Sequence, residues 1–232
     1  MAIATPESYA DMLDRAKAGK YAVPAINVTS SQTLSAALKG FADAESDGIV
    51  QISNGGAAYW SGSSRLDRVK GSMAFAAYAR VVGDLYPGVV GLHTDHCPKK
   101  LLEGWIHPLL EIEAEQVKNG ELPMFQSHMW DGSAESLDDN IDIAVDMLKR
   151  SKAANTVLEI EIGAVGGEED GIKGEENANL YTTADDAMRA IEALGLGENG
   201  RYITALTFGN VHGSYKRQPR SEERRVGKEC RS

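Results

Sequence analysis

With 232 residues, 42% of them apolar and 25% charged, the chain has an ordinary globular composition and suffices for one α/β barrel or two smaller domains. Its net charge of −10 argues against nucleic-acid binding, and no apolar run approaches the roughly 20 residues of a membrane span. An acidic amino terminus without an apolar signal core, and only two cysteines, predict a protein of the reducing cytoplasm.

Short β-rich segments alternate with longer helical ones along the chain. A first helix is predicted from Pro6 to Gly19, because a capping threonine precedes the proline and a glycine follows the apolar stripe. The predicted strands are 21–27, 48–53, 89–95, 124–129, 156–163 and 202–209. The helices predicted between them include 33–44, 68–86, 136–154 and 183–195. This βα alternation is typical of a parallel sheet covered by helices.

Polar side chains lie at or just past the carboxyl ends of the predicted strands. They are Asn27, Ser53, Asp95, His96, Asp131, Glu161 and His212. The carboxyl ends of the strands form the functional face of a (β/α)8 barrel, and convergence from six strands favours a barrel over an open sheet. We therefore predict an α/β fold of the (β/α)8 TIM-barrel type, incomplete because about six of its eight strands are present.

The sequence changes character near its end. From Lys216 onward it carries seven basic residues and three acidic ones and has no apolar periodicity. The segment RSEERRVGKECRS also closely resembles a translated sequencing-library adapter. We therefore predict a partial barrel domain over 1–217 and a non-native tail over 218–232. As native sequence, the same segment would be a solvated basic tail or a nucleic-acid arm.

The stretch LHTDHCPKK (92–100) places Asp95 between two histidines. On a regular strand neighbouring side chains point to opposite faces, so at most one of Asp95 and His96 shares the orientation of His93. A metal site, a catalytic acid beside a metal ligand, and a polar strand end all remain open on spacing alone. A ligand set here requires partners from elsewhere in the chain.

Three further stretches accompany it: FQSHMWDGS (125–133), LEIEIGAVGGEEDG (158–171) and FGNVHG (208–213). In this order and at these separations, the four stretches resemble the class II, metal-dependent fructose-bisphosphate aldolases, from Ile3 to about Tyr215. The resemblance implies a zinc-dependent (β/α)8 barrel that is a homodimer in its full-length form. It also implies cleavage of fructose 1,6-bisphosphate to dihydroxyacetone phosphate and glyceraldehyde 3-phosphate, in glycolysis and gluconeogenesis.

Metal ligands follow from the resemblance. It assigns His96 and His212 as two of three catalytic zinc ligands, a role that suits neutral imidazole. Asp131 and Glu161 correspond to a second divalent position, structural or alternate, and a monovalent cation is a further candidate cofactor. Glu159 shares a strand face with Glu161, so spacing alone does not separate the two.

Acid–base residues follow from the same resemblance. Asp95 matches the proton donor and acceptor of carbon–carbon bond formation and cleavage, with a carboxylate that orients a histidine as the alternative. Glu169, with Glu168 as the second candidate, matches the lid glutamate that removes the C1 proton of dihydroxyacetone phosphate. Both lie in the glycine-rich loop 166–171, for which a solvated acidic loop is the alternative. His93 is expected to pack or to support a ligand.

Substrate contacts are assigned to Asn27 and Ser53, and a backbone contact to phosphate is assigned to Gly213. Hydroxyl groups and exposed amides suit phosphate oxygens without adding positive charge. Either side chain can instead cap the end of its strand.

The sequence departs from the family pattern at its carboxyl end. A third zinc histidine, a GGSGS-type phosphate loop and an NIDTD-type stretch are absent, so we expect a truncated aldolase that is inactive by itself. The alternatives are a tagatose 1,6-bisphosphate aldolase of the same superfamily, a metal-free phosphosugar isomerase barrel, and a non-catalytic fragment.

Overall fold

Strands and helices alternate along the chain in the computed structural model. The structure describes residues 3–62, 64–163, 166–169, 172–174, 181–208 and 211–212; for 166–169, 172–174 and 211–212 it describes the backbone but not the side chains. The predicted tail 218–232 lies outside the described residues, so its boundary stays a prediction.

The predicted helices and strands occur in the predicted order along the chain. The helices are α1 (Pro6–Gly19), α2 (Ser31–Asp43), α3 (Asn54–Trp60), α4 (Arg68–Gly83), α5 (Ile106–Lys118), α6 (Leu137–Ala153) and α7 (Ala184–Leu194), with a 3-10 turn at Lys99–Leu101. The strands are β1 (Ala25–Asn27), β2 (Gly48–Ser53), β3 (Val90–Pro98), β4 (Ser127–Asp131), β5 (Val157–Ile162), β6 (Gly166–Glu169), β7 (Ile172–Gly174), β8 (Tyr202–Leu206) and β9 (Val211–His212).

The main sheet is parallel, with the six-strand order β1-β2-β3-β4-β5-β8. Successive strands of this sheet lie side by side and are joined by connections that contain helices, which is the arrangement of a (β/α)8 barrel with six strands in place. The prediction of an incomplete barrel is therefore confirmed. The first strand begins at Ala25, four residues later than predicted, directly after Pro24, which has no N–H to donate to a ladder.

A second, three-stranded sheet has the order β7-β6-β9. It corrects the prediction of a loop at 166–171, because the backbone of Gly166–Glu169 forms β6, which pairs antiparallel with β7 and parallel with β9. Helices α3 and α5 are absent from the predicted set. Helix α5 begins after Trp105, which makes no side-chain capping hydrogen bond, so the sequence carries no cap signal there.

The core lies between the main sheet and the helices that cover it. Trp105 and Phe125 are fully buried, and Trp60 packs against the core from a partly buried position, with its ring edge-on to Phe75. At the opposite end from the polar strand ends, Tyr9 of α1 packs on Gly91 and Ser127, near the amino ends of β3 and β4. Among the described residues, no helix is both long enough and apolar enough to cross a membrane.

Candidate active site and metal centre

A β-bulge in β3 shapes the site. Thr94 pairs with His128 and Cys97 with Trp130, so β3 holds one residue more than β4 over this interval. His96 takes the left-handed conformation, with φ of 45°, that such an insertion permits. The expectation that at most one of Asp95 and His96 shares the orientation of His93 is therefore wrong. All three side chains line the inner face of the sheet.

His96 lies close to two carboxylates, one on β4 and one on β5. Its Nδ1 lies 3.5 Å from Asp131 Oδ2 and 3.5 Å from Glu161 Oε2. One ligand atom from each residue lies within 4.8 Å of the other two, and the Glu161 side chain is only 3% exposed. A tetrahedral ion with bonds of about 2.1 Å holds its donors about 3.4 Å apart. One imidazole nitrogen and two carboxylate oxygens at this spacing fit a divalent metal ion.

The surroundings of Asp131 favour its ionised, carboxylate form. Burial by itself would raise its pKa, but hydrogen bonds from His96 and Ser133 outweigh the burial and keep the pKa of Asp131 below its usual value. Ser133 donates through its backbone N–H at 3.0 Å and through its hydroxyl at 2.5 Å, both to Asp131 Oδ1. The other oxygen, Oδ2, is the one that faces His96.

Asp95 lies beside this cluster, 7% exposed, with its Oδ1 3.9 Å from His96 Nε2. Its other oxygen, Oδ2, accepts a hydrogen bond of 2.8 Å from the side-chain amide of Asn27. Asn27, predicted to contact substrate, thus has a partner within the protein at the end of β1. The two side chains reach each other across β2, which lies between their strands.

Ser53 has a capping role in the structure. It lies opposite Asp95 in the β2–β3 register and is the N-cap of α3, where its hydroxyl accepts from the Gly56 N–H at 3.3 Å. The capping alternative for Ser53 is therefore present, while its predicted contact with substrate stays a prediction. Gly213 lies outside the described residues.

His93 belongs to a buried chain of polar groups. Ser127 Oγ lies 2.8 Å from both His93 Nδ1 and the Tyr9 hydroxyl, and His93 Nε2 lies 3.4 Å from Glu159 Oε2. Burial lowers the pKa of His93 in spite of Glu159, and burial raises the pKa of Tyr9 to about 12. Both groups are therefore neutral near pH 7, and His93 is packed as predicted.

A second series of hydrogen-bonded side chains lies on the outer face of the sheet, and the sequence did not predict it. Thr94 Oγ1 lies 2.8 Å from His128 Nδ1, and His128 Nε2 lies 2.8 Å from Glu113 Oε2. The other oxygen of Glu113 accepts from the Phe125 N–H at 2.8 Å. His128 and Glu113 are 0% exposed. These hydrogen bonds connect α5 to Thr94, the last residue of β3 before the bulge. In the sequence, the histidine of FQSHMWDGS is the one residue that indicates them.

The predicted residues Glu168, Glu169 and His212 are described through their backbone. Gly167 pairs with His212 in the β6–β9 register, so the two predicted lid glutamates directly follow a residue that adjoins the predicted zinc ligand. Their side chains lie outside the described atoms.

The inner face of the sheet lines a cavity of about 310 Å³. Asp95, His96 and Glu161 lie at its carboxyl end, and Tyr9 lies at its amino end. Glu159 lines the same cavity, which confirms that it shares the strand face of Glu161. Adjacent parallel strands that present an acid and a group of possible metal donors at their carboxyl ends are the arrangement of metal-dependent proteins with a (β/α)8 barrel.

Comparison with known proteins narrows the class to a family. The model of the class-II fructose-bisphosphate aldolase family matches residues 7–228, and the chain belongs to this family. Over 216 residues, 93% of the chain, it is 62% identical to the fructose-bisphosphate aldolase of Streptomyces coelicolor and 57% identical to that of Mycobacterium tuberculosis. The chain spans 63% of the length of each of these two curated relatives.

Solved structures agree with the fold. The fructose-bisphosphate aldolase of Campylobacter jejuni superposes with a TM-score of 0.78 at 35% identity, covering 94% of this chain and 61% of that one. A protein from Coccidioides immitis, 21% identical with a TM-score of 0.63, covers 89% of this chain and 62% of that one and shares the fold.

Proposed function

We propose that this chain, completed by the carboxyl-terminal part that the family resemblance predicts, catalyses zinc-dependent aldol cleavage of fructose 1,6-bisphosphate. The products are dihydroxyacetone phosphate and glyceraldehyde 3-phosphate, and the reverse reaction is the condensation. The observation that supports this most is the bulge in β3, which turns Asp95 and His96 toward the same cavity beside Asp131 and Glu161. An acid–base group thereby adjoins a cluster of metal donors.

Asp95 is the acid–base group for the bond that breaks. In cleavage it takes the proton of the C4 hydroxyl while the C3–C4 bond breaks, so that C4 leaves as the aldehyde of glyceraldehyde 3-phosphate. The electron pair of that bond passes to C3 and the adjacent C2 carbonyl as an enediolate. The hydrogen bond from the Asn27 amide orients one carboxylate oxygen of Asp95, and the other oxygen remains to accept the proton.

Glu169, with Glu168 as the second candidate, handles the remaining proton. It donates a proton to the enediolate carbon to complete dihydroxyacetone phosphate, and removes the same proton at C1 in the condensation. The pairing of β6 with β9 supports this role because it holds the glutamate-bearing strand beside the strand of His212.

The proposed zinc ligands are His96 and His212, with the third ligand outside this chain. Asp131 and Glu161, each 3.5 Å from His96 Nδ1, are proposed as ligands of a second or alternate divalent position. A bound zinc ion supplies Lewis acidity that stabilises the negative charge of the enediolate. A monovalent cation is a further proposed cofactor.

Substrate binding is proposed for Asn27, Ser53 and Gly213, whose amide and hydroxyl groups suit sugar and phosphate oxygens without adding charge. Asn27 then serves both the substrate and Asp95. A homodimer in the cytoplasm is the proposed setting, as the resemblance implies.

The test uses what we term the extended chain: residues 1–215 followed by the carboxyl-terminal part of the Streptomyces coelicolor relative. Purified with one equivalent of zinc, it is expected to cleave fructose 1,6-bisphosphate, measured by enzyme-coupled detection of both triose phosphates. The activity should disappear after removal of the metal with a chelator and return when zinc is added.

Two comparisons make the test specific. Tagatose 1,6-bisphosphate, assayed in parallel, should give a lower kcat/KM than fructose 1,6-bisphosphate. Full activity in the metal-free protein would contradict the proposal, and so would a preference for the tagatose substrate.

A further inference from the structure

Asn140 of helix α6 is a buried asparagine, 4% exposed, whose side-chain amide joins two strands of the site. Its Oδ1 accepts a hydrogen bond of 2.7 Å from Trp130 Nε1 on β4. Its Nδ2 donates a hydrogen bond of 2.8 Å to the backbone carbonyl of Glu161 on β5. Both ends of the amide are therefore used, and neither bond is exposed to solvent.

These bonds lie where the ladder between β4 and β5 stops. The last pair in their register is Trp130 with Ile160, so Asp131 and Glu161 each lie one residue beyond it. Within the described residues, the Asn140 amide continues the connection by binding Trp130, which precedes Asp131, and Glu161 itself. The Asn140 side chain thus bridges β4 and β5 at the residues that precede or carry the two carboxylates.

Gly132 fixes the amide from the side of β4. A Cβ placed on Gly132 would overlap the side-chain atoms of Asn140, so the chain leaves β4 in direct contact with the amide. Gly132 has no positive φ that would itself require glycine. Its lack of a side chain is explained by the space that Asn140 occupies.

We infer that Asn140 is a positioning residue for the metal centre: it sets the spacing of Asp131 and Glu161 and through it the affinity for a divalent ion. The inference rests on the proposed function only in that Asp131 and Glu161, beside His96, bind a divalent ion. Groups that hold metal ligands in place contribute typically 10- to 100-fold to metal affinity.

The experiment compares two asparagine-to-leucine variants of the extended chain, since leucine keeps the branched shape and removes the side-chain hydrogen bonds. The backbone carbonyl of residue 140, which also accepts from Trp130 Nε1 at 3.3 Å, is retained. Asn140→Leu is expected to weaken Co²⁺ binding about 10- to 100-fold and to change the visible absorption of the bound ion. Asn199→Leu is the matched control, because the Asn199 amide also donates to a backbone carbonyl, that of Leu194 at 3.1 Å, but away from the site. The control should bind Co²⁺ like the unmodified protein.

Gly132→Ala tests the same amide by a second route and decides the outcome if Asn140→Leu does not fold. It is expected to displace the amide and weaken Co²⁺ binding in the same direction, with thermal melting followed by circular dichroism. Unchanged Co²⁺ affinity and absorption in the folded variants would overturn the inference, whatever happens to their melting temperatures. Fructose 1,6-bisphosphate cleavage by the unmodified extended chain, measured separately, tests the proposed function and leaves this comparison independent of it.

Discussion

Asn27 donates its side-chain amide to Asp95 at 2.8 Å, from the end of β1 across β2 to β3. The bond orients a nearly buried carboxylate whose other oxygen lies beside His96. A residue predicted only to contact substrate therefore also holds the acid–base group of the proposed mechanism.

Replacement of Asn27 by alanine in the extended chain is expected to lower kcat for cleavage about 10- to 100-fold. A hydrogen bond to a charged group contributes about 1.5–3 kcal/mol, and each 1.4 kcal/mol corresponds to about tenfold in rate. Exchange of the C1 proton of dihydroxyacetone phosphate with solvent, followed by NMR, should fall much less, because that step is the one proposed for Glu169. An equal loss of cleavage and exchange would contradict a role for Asn27 through Asp95.

The two proposed acid–base residues should separate in the same pair of assays. Asp95→Ala is expected to lose carbon–carbon cleavage by a factor of about 10² or more, while C1 proton exchange persists. Glu169→Ala should lose both, with Glu168→Ala as the control for the neighbouring glutamate. Identical exchange rates in Asp95→Ala and Glu169→Ala would show that this division of roles is wrong.

Metal content gives a third prediction. The extended chain should contain about one catalytic zinc per chain by mass spectrometry of the intact protein. His96→Ala and His212→Ala should each abolish cleavage and reduce retained zinc, since a three-ligand site that loses one imidazole binds its ion weakly. His107→Ala is a suitable control, because His107 lies on α5 and its Nδ1 contacts Glu103, away from the cluster. Retention of zinc and activity by His212→Ala would contradict the assignment.

The sequence predicts the order of the main elements well because each strand is a short apolar segment and each long helix has an apolar stripe. It also places Asn27, Ser53, Asp131 and Glu161 at strand ends, where the structure has them. The stretches LHTDHCPKK and FGNVHG are informative about chemistry because their family resemblance supplies partners that spacing alone leaves open.

The orientation of His96 was not predictable by the same means. Strand periodicity puts Asp95 and His96 on opposite faces, and the bulge that overrides it depends on pairing with β4, a contact between distant parts of the chain. The burial of Asn140 and Glu113 was not predictable for a similar reason. A polar residue within a helix looks solvated in sequence, and only the packed structure shows that each is buried against a strand.

Stability should depend strongly on Glu113. Glu113→Leu in the extended chain leaves His128 Nε2 and the Phe125 N–H without their buried partner, a loss expected to lower the free energy of unfolding by about 3–5 kcal/mol. Glu113→Gln should cost less, because its amide oxygen still accepts from Phe125 and its NH₂ can donate to the other tautomer of His128. Urea denaturation measures the free energy of unfolding of both variants.

Glu115→Leu, at an exposed position of the same helix, is the control and should change the free energy of unfolding by less than about 0.5 kcal/mol. Equal effects at positions 113 and 115 would contradict this role of Glu113.

The 232-residue chain by itself is expected to be unstable. Its main sheet ends at β1 and β8, and Ile26 on β1 is 43% exposed, as expected at an edge strand that nothing covers within the described residues. Closure of a (β/α)8 barrel needs eight strands, whose inward side chains fill the interior in layers. Two open edges and a partly filled interior cost free energy against a typical stability of only about 5–15 kcal/mol, and open edges favour association between chains.

We therefore expect the 232-residue chain to elute as aggregates in size-exclusion chromatography, to melt without a cooperative transition and to show no cleavage of fructose 1,6-bisphosphate. The extended chain should elute as a defined species and melt cooperatively under the same conditions. A soluble, zinc-binding and active 232-residue chain with a cooperative melt would contradict the prediction and would make residues 218–232 part of the folded protein.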